Sequence, residues 1–253
     1  MTEETKNTLT QADALVTVEG ILSEKKLEAT TDSEGKEIIK GTLTLKVSET
    51  NFIPLNVYVN RVTNSGAENK AYAGMMTVLN EYQSIADVGE ENATRVRCSK
   101  GQLQLSTYVD KRTGDVKTGV RYSASFVSRV DEHAKHPFDP KANFEVEGYI
   151  AAIADEVKDG EETGRLKVKI LVPTFSGIEP MELFVKEDLA SAFRDIFEIG
   201  QTSRFFGDLT NNVIENKKVI QMALGKSVTK SSYDYVDERV LTGAVDPYEE
   251  EKA

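Results

Sequence analysis

The chain has 253 residues, a net charge of −11 and a hydrophobic fraction of 39%, enough for one large core or two small ones. No apolar run approaches the ~20 residues of a membrane-spanning helix, and the opening MTEETKNTLTQADA lacks the basic-then-apolar layout of a signal peptide. A single cysteine, Cys98, excludes an internal disulfide framework and fits a reducing compartment, so a cytoplasmic protein with no membrane partner is expected.

Residues 1–14 read as a disordered leader. Val16-Thr17-Val18-Glu19-Gly20-Ile21-Leu22 then alternates apolar and polar residues up to a glycine, the period of a half-buried strand. The same alternation and the same Val-Glu-Gly return at Phe144-Glu145-Val146-Glu147-Gly148-Tyr149-Ile150. Further landmarks recur in order. The run from Gly41 to Val47 matches that from Gly164 to Ile170, and Ile53–Val59 matches Glu179–Val185. A helical stretch follows each, at Lys70–Ile85 and Glu187–Ile196. Each is followed by a hydrophobic-Gly step and a strand entering at Arg95-Val96-Arg97 or Ser203-Arg204-Phe205. Such self-similarity predicts a duplicated unit. Three strands, a helix and a closing hairpin are the layout of the five-stranded OB barrel. The fold class expected is therefore all-β with minor helix: two tandem five-stranded OB-fold barrels, each with one helix between strands three and four. The units expected are a first barrel at 15–130, a linker at 131–143, a second barrel at 144–225 and an acidic tail at 226–253.

The charge is unevenly spread. Leu15–Val130 carries fifteen Lys/Arg against fourteen Asp/Glu, whereas Asn143–Gly225 carries nine against fifteen. Cations concentrate between Arg95 and Val130, a predicted hairpin whose tip, Asp110–Asp115, holds Gly114 for a tight reversal. Tyr108 and Tyr122 lie among them. Cations interleaved with aromatic rings suit a single nucleic-acid strand, whose phosphates want positive charge and whose unpaired bases want a stacking surface.

Period-two alternation also assigns faces. Leu43, Leu45 and Val47 point inward on strand two, as do Leu55, Val57 and Val59 on strand three. Thr44, Lys46, Asn56, Tyr58 and Asn60 are left outside, on the face where OB folds usually hold oligonucleotides. The candidate nucleic-acid contacts are thus Lys46, Tyr58, Arg61, Arg95, Arg97, Lys100, Tyr108, Lys111, Arg112, Lys117, Arg121 and Tyr122. Lys167, Lys169 and Phe184 are their second-barrel counterparts, set among Glu179, Glu182, Glu187 and Asp188.

The front half resembles the OB fold of bacterial and phage single-stranded DNA-binding proteins. The likeness rests on the opening Val-x-Val-x-Gly strand, on Lys100-Gly101, and on Tyr108-Val109-Asp110…Thr113-Gly114…Tyr122. The tandem arrangement and the acidity resemble a phage-encoded member. What the resemblance implies is coating of single-stranded DNA, without strong sequence preference, in replication or recombination. It also implies partner proteins reached through the acidic tail or the second unit, and self-association. The family's acidic tail often ends in Pro-Phe; here Asp246-Pro247-Tyr248-Glu249-Glu250-Glu251 runs on into Lys252-Ala253. An alternative is a non-catalytic OB scaffold, or an inhibitor that mimics DNA with its acidic half.

An enzyme is not expected, and neither is a metal or a cofactor. His133 and His136 have no second ligand pair nearby, and Pro137 breaks any helix that would align them. The acids between Asp155 and Glu162 lack calcium-loop spacing. Gly225-Lys226-Ser227 lacks the earlier glycine of a phosphate-binding loop.

Overall fold

A computed structural model describes residues 11–249 other than 132, 159 and 221–227. The first half runs β1 (Ala14–Thr31), β2 (Glu37–Lys46), β3 (Phe52–Asn60), α1 (Lys70–Glu81), the short α2 (Ile85–Val88), β4 (Arg95–Val109), β5 (Val116–Ser123) and β6 (Ser128–Arg129). The second runs β7 (Lys141–Lys158), β8 (Glu161–Thr174), β9 (Gly177–Val185), α3 (Glu187–Ile196), β10 (Thr202–Ile220) and β11 (Val228–Ala244).

Strand pairing closes each half into a ring. β1 pairs with both β2 and β4, β2 with β3, and β4 with β5. The first ring shuts through a parallel contact of β3 with β5 at Leu55–Tyr122 and Asn56–Ser123. β7 pairs likewise with β8 and β10, β8 with β9, and β10 with β11. Its parallel closure joins β9 to β11 at Phe184–Val240 and Val185–Leu241. This is the OB connectivity twice over, mostly β with few helices, and closure hides strand edges that would otherwise template aggregation.

Local sequence explains the shape. The inward set alternates as expected, with Leu43, Leu45, Leu55, Val57 and Val59 buried. β1 leaves β4 for β2 near Gly20, where a Cβ would lie 2.5 Å from the Lys46 carbonyl oxygen; only glycine permits that corner. α1 is capped by Asn69, whose side chain accepts from the Ala71 amide, and it buries Met75 and Val78. At its other end Lys25 Nζ donates to the carbonyls of Leu79 and Tyr82 at 2.8 and 2.7 Å, a cation where the helix dipole is negative.

β1 and β7 pair antiparallel and join the rings into one 11-stranded sheet with a shared core. Their register is that of a pseudo-twofold axis. Val16 faces Phe144, its own counterpart; Ala14 faces Val146, the counterpart of Val18; and Val18 faces Ala142, the counterpart of Ala14. The repeated Val-Glu-Gly also repeats an ion pair. Glu19, fully buried, accepts from Arg97 Nε and Nη2 at 2.7 and 2.9 Å, and Arg97 donates further to the His136 and Pro137 carbonyls. Glu147 accepts from Arg204 Nε and Nη2 at 3.1 and 2.6 Å, and from the Tyr248 hydroxyl.

Three expectations are corrected. Val228–Ala244, expected in an acidic tail from 226, form β11 and complete the second ring; Tyr248 is also tied down by its Glu147 bond and by its amide to the Thr202 carbonyl. The return strand of the first hairpin ends at Ser123, leaving Phe126 exposed. The second-strand match is shifted: Lys40 faces Tyr58 as Lys167 faces Phe184, which sets Gly41 with Val168, while Leu22 faces Leu45 as Ile150 faces Ile170, which sets it with Leu166; neither ladder sets it with Gly164. Residues 1–10 of the leader and the last acidic residues from 250 lie outside the described residues. Among the described residues no helix is long and apolar enough to cross a membrane.

Candidate nucleic-acid interface

Two tyrosines of the first ring stand clear of the core. Tyr58, at the outer face of β3, is 58% exposed and faces Lys40 across the β2–β3 ladder. Tyr108 is 51% exposed and faces Lys117 in the β4–β5 hairpin. It packs beside Gly119, where an added Cβ would lie 3.3 Å from Tyr108 Cε1. Along the β3–β5 contact the two tyrosines lie on opposite sides of the Leu55–Tyr122 pair, three residues one way and five the other. At about 3.3 Å per residue they are separate stations, roughly 25 Å apart along the strands.

The cations around them fall into two groups. Lys100, Lys111, Arg112 and Arg121 are exposed and form no ion pair among the described residues. Arg95 is exposed too, its guanidinium 5.2 Å from the Phe138 ring centre. Arg121 faces Gln104 on the same outer hairpin face as Tyr108 and Lys117. Others are already engaged. Lys117 holds Asp110 across the hairpin tip, and its hydrogen bond, followed by the Arg112 amide, lowers the Asp110 carboxyl below the usual range. Arg61 is paired with Glu37.

Several candidates do not reach this surface. Lys46 lies at the far end of β2 from Tyr58, opposite Phe52, with its side chain 10% exposed and Nζ bound to Glu49 and Glu90 at 2.8 and 2.7 Å. Lys40 takes the place expected for it, 3.2 Å from Glu28. Arg97 is spent on buried Glu19. Tyr122 is in the core, its hydroxyl 3.5 Å from Asp237 of the second ring. Burial, then the Asp237 charge, pushes that hydroxyl up to about 12. Burial also pushes the Cys98 thiol up to about 11, so it stays protonated at neutral pH.

The second ring is covered where the first is open. Phe184 is 7% exposed, with Arg165 4.8 Å and Lys167 5.6 Å from its ring centre. Arg165 is anchored by Glu238 at 2.7 Å and Glu156 at 3.5 Å, while Lys167 lies 3.9 Å from Glu182. Lys169 is exposed, but it faces Glu182 across the ladder. Phe184 therefore offers no stacking surface.

The sequence pattern of one described family, YorF, matches residues 13–253. The chain belongs to the YorF family. No curated protein matches this YorF-family chain by sequence. Among solved structures it is similar to the wild-type single-stranded DNA binding protein from Thermus aquaticus, with a TM-score of 0.53 and 11% identity over 95% of each chain. A deletion variant of that protein gives a TM-score of 0.51 at 11% identity, over 95% of this chain and 97% of the other. At that identity the likeness is one of fold, and it extends over both rings of the YorF-family chain.

Proposed function

We propose that this YorF-family chain binds single-stranded DNA without strong sequence preference, coating it during replication or recombination. The observation that carries the reading is the first ring's surface: exposed tyrosines at 58 and 108 on an OB ring that also presents Lys100, Lys111, Arg112 and Arg121, which form no ion pair among the described residues. Phosphates are held by the cations. Bases stack on the tyrosines, each contributing about 1–3 kcal/mol, and every base has a π-face, so the order of bases matters little. The net charge of −11 does not oppose this, because screening over about 8–10 Å leaves local potential in command. The fold shared with the Thermus aquaticus protein supports the same reading.

The setting proposed is the cytoplasm of a host cell, with the tandem rings and acidity supporting a phage-encoded role. Replication or recombination proteins reached through the second ring or the acidic C-terminal end, and a second copy of the chain, are the partners this reading adds. Titration with oligo-dT, followed by tyrosine emission in a chain without tryptophan, tests it against duplex DNA and RNA. Tight binding of the single strand, weakening steeply as salt rises, is expected. Equal affinity for duplex, or none for oligo-dT, overturns it.

A further inference from the structure

We propose that the groove between the two rings is a base-binding subsite, in which Phe175 of the second ring stacks on a nucleobase while Arg121 of the first holds the adjoining phosphate. It rests on single-strand binding as the function and adds where a strand passes from one ring to the other.

The pseudo-twofold axis sets up two related places, and they differ. On one side the β2–β3 turn of the first ring is fastened to β10. The Asn51 side chain donates to the Leu209 carbonyl at 2.9 Å and accepts from the Asn211 amide at 2.8 Å. On the other side the β8–β9 turn of the second ring lies beside β4 and leaves a cavity of about 620 Å³ between them. Phe175, at the tip of that turn, is 95% exposed and lines the cavity. Gln102, Gln104, Ser106 and Arg121 line it from the outer face of the β4–β5 hairpin.

The chemistry of that lining suits a nucleotide. An open aromatic ring is a stacking partner, two carboxamides and a hydroxyl match base edges, and Arg121 is a cation with no ion pair among the described residues. Asp13, also on the rim, lies 3.3 Å from Arg204, which it shares with Glu145 and Glu147. The Phe175 turn is built rather than loose, since Thr174 Oγ1 donates to the Gly177 carbonyl at 2.8 Å and lies 3.1 Å from Ser176 Oγ. Preorganisation of this kind lowers the entropy lost on binding. The groove also continues the first ring's surface. Gln104 and Tyr108 alternate outward on one strand, four residues or about 13 Å apart, so a strand stacked on Tyr108 reaches the groove at Gln104, which Phe175 also lines.

The test uses the full chain, oligo-dT carrying 5-iododeoxyuridine for photocrosslinking, and the variants Phe175→Ala, Phe175→Tyr and Arg121→Gln. Phe175 is too exposed for its truncation to unfold the protein. Expected are a loss of at least about fivefold in affinity for Phe175→Ala, retention within about twofold for Phe175→Tyr, and a crosslink on the peptide holding residue 175. Arg121→Gln should reduce the slope of log affinity against log salt by about 0.7. Wild-type binding with Phe175→Ala unchanged, and crosslinks confined to Tyr58 and Tyr108, overturns the groove and leaves single-strand binding standing. A wild-type chain that does not bind oligo-dT overturns both.

Discussion

Tyr58 and Phe184 occupy matching places on β3 and β9, each opposite a lysine of the neighbouring strand, yet one ring is open and the other roofed. The difference lies next door. Where the second ring has Arg165, with Glu156 and Glu238 to hold it across Phe184, the first has Ile38, a buried aliphatic that cannot bridge to acids. Arg165 and the neighbouring β11, which pairs with β9 at Phe184, make that aromatic part of the core, whereas β5 meets β3 only at Leu55 and Asn56 and leaves Tyr58 open. Duplication supplied two equal scaffolds, and side-chain cover made them unequal.

The largest effects should come from the repeated ion pairs, which have nothing to do with ligand. Arg97→Met leaves Glu19 buried without its partner and should cost about 3–5 kcal/mol of unfolding free energy, while the salt slope of DNA binding is unchanged in the folded protein. Arg204→Met, at a more exposed pair, should cost less; chemical denaturation of both variants measures the gap. A lower salt slope in Arg97→Met would instead make it a phosphate contact.

Next comes the aromatic pair itself. Phe184→Ala should lose about 3–5 kcal/mol of stability as a truncated core ring, with single-strand affinity kept. Tyr58→Ala should show the reverse, near-native stability and about 1–3 kcal/mol less binding. Matching losses of affinity in the two would dissolve the contrast between the rings. Smaller still, Lys111→Ala should flatten the salt dependence by about 0.7 in the log–log slope, read from titrations at several salt concentrations.

The last contrast is in titration. Tyr122 is raised to about 12 in the fold, from about 10 in an unfolded chain. Its neutral form is the one the fold favours. The stability it lends is therefore complete below pH 10 and is lost as pH rises through about 12. An absorbance titration near 295 nm should show the delayed ionisation of Tyr122, and its loss on unfolding. Cys98, raised to about 11 by burial, should stay inert to thiol reagents at pH 8 until the protein is unfolded.

Much of this was legible in the sequence. Period-two alternation identified the inward residues of β2 and β3, and the repeated Val-Glu-Gly located the duplication; the axis at Val16 and Phe144 comes from the register of β1 with β7. What alternation cannot supply is position along a strand. It put Lys46 on the outer face with Tyr58, but register sets them at opposite ends of the ladder and brings Lys40 to the ring instead. It likewise cannot foresee cover from another segment, so Phe184 was expected outside. β11 carries little strand signal because it is Ser-, Tyr- and acid-rich at its start, and its backbone ladder with β10 makes few demands on side-chain type. Phe175 carried no signal at all: its setting depends on which turn the second ring lays beside β4.

The axis through Val16 and Phe144 has a consequence for how such a molecule can change over time. Two identical subunits meeting at a symmetric seam must accept every mutation twice and can separate on dilution. Fusing them in one polypeptide fixes the ratio at one to one at any concentration. Each half can then drift alone, and one is free to give up its share of the work while still bracing the other.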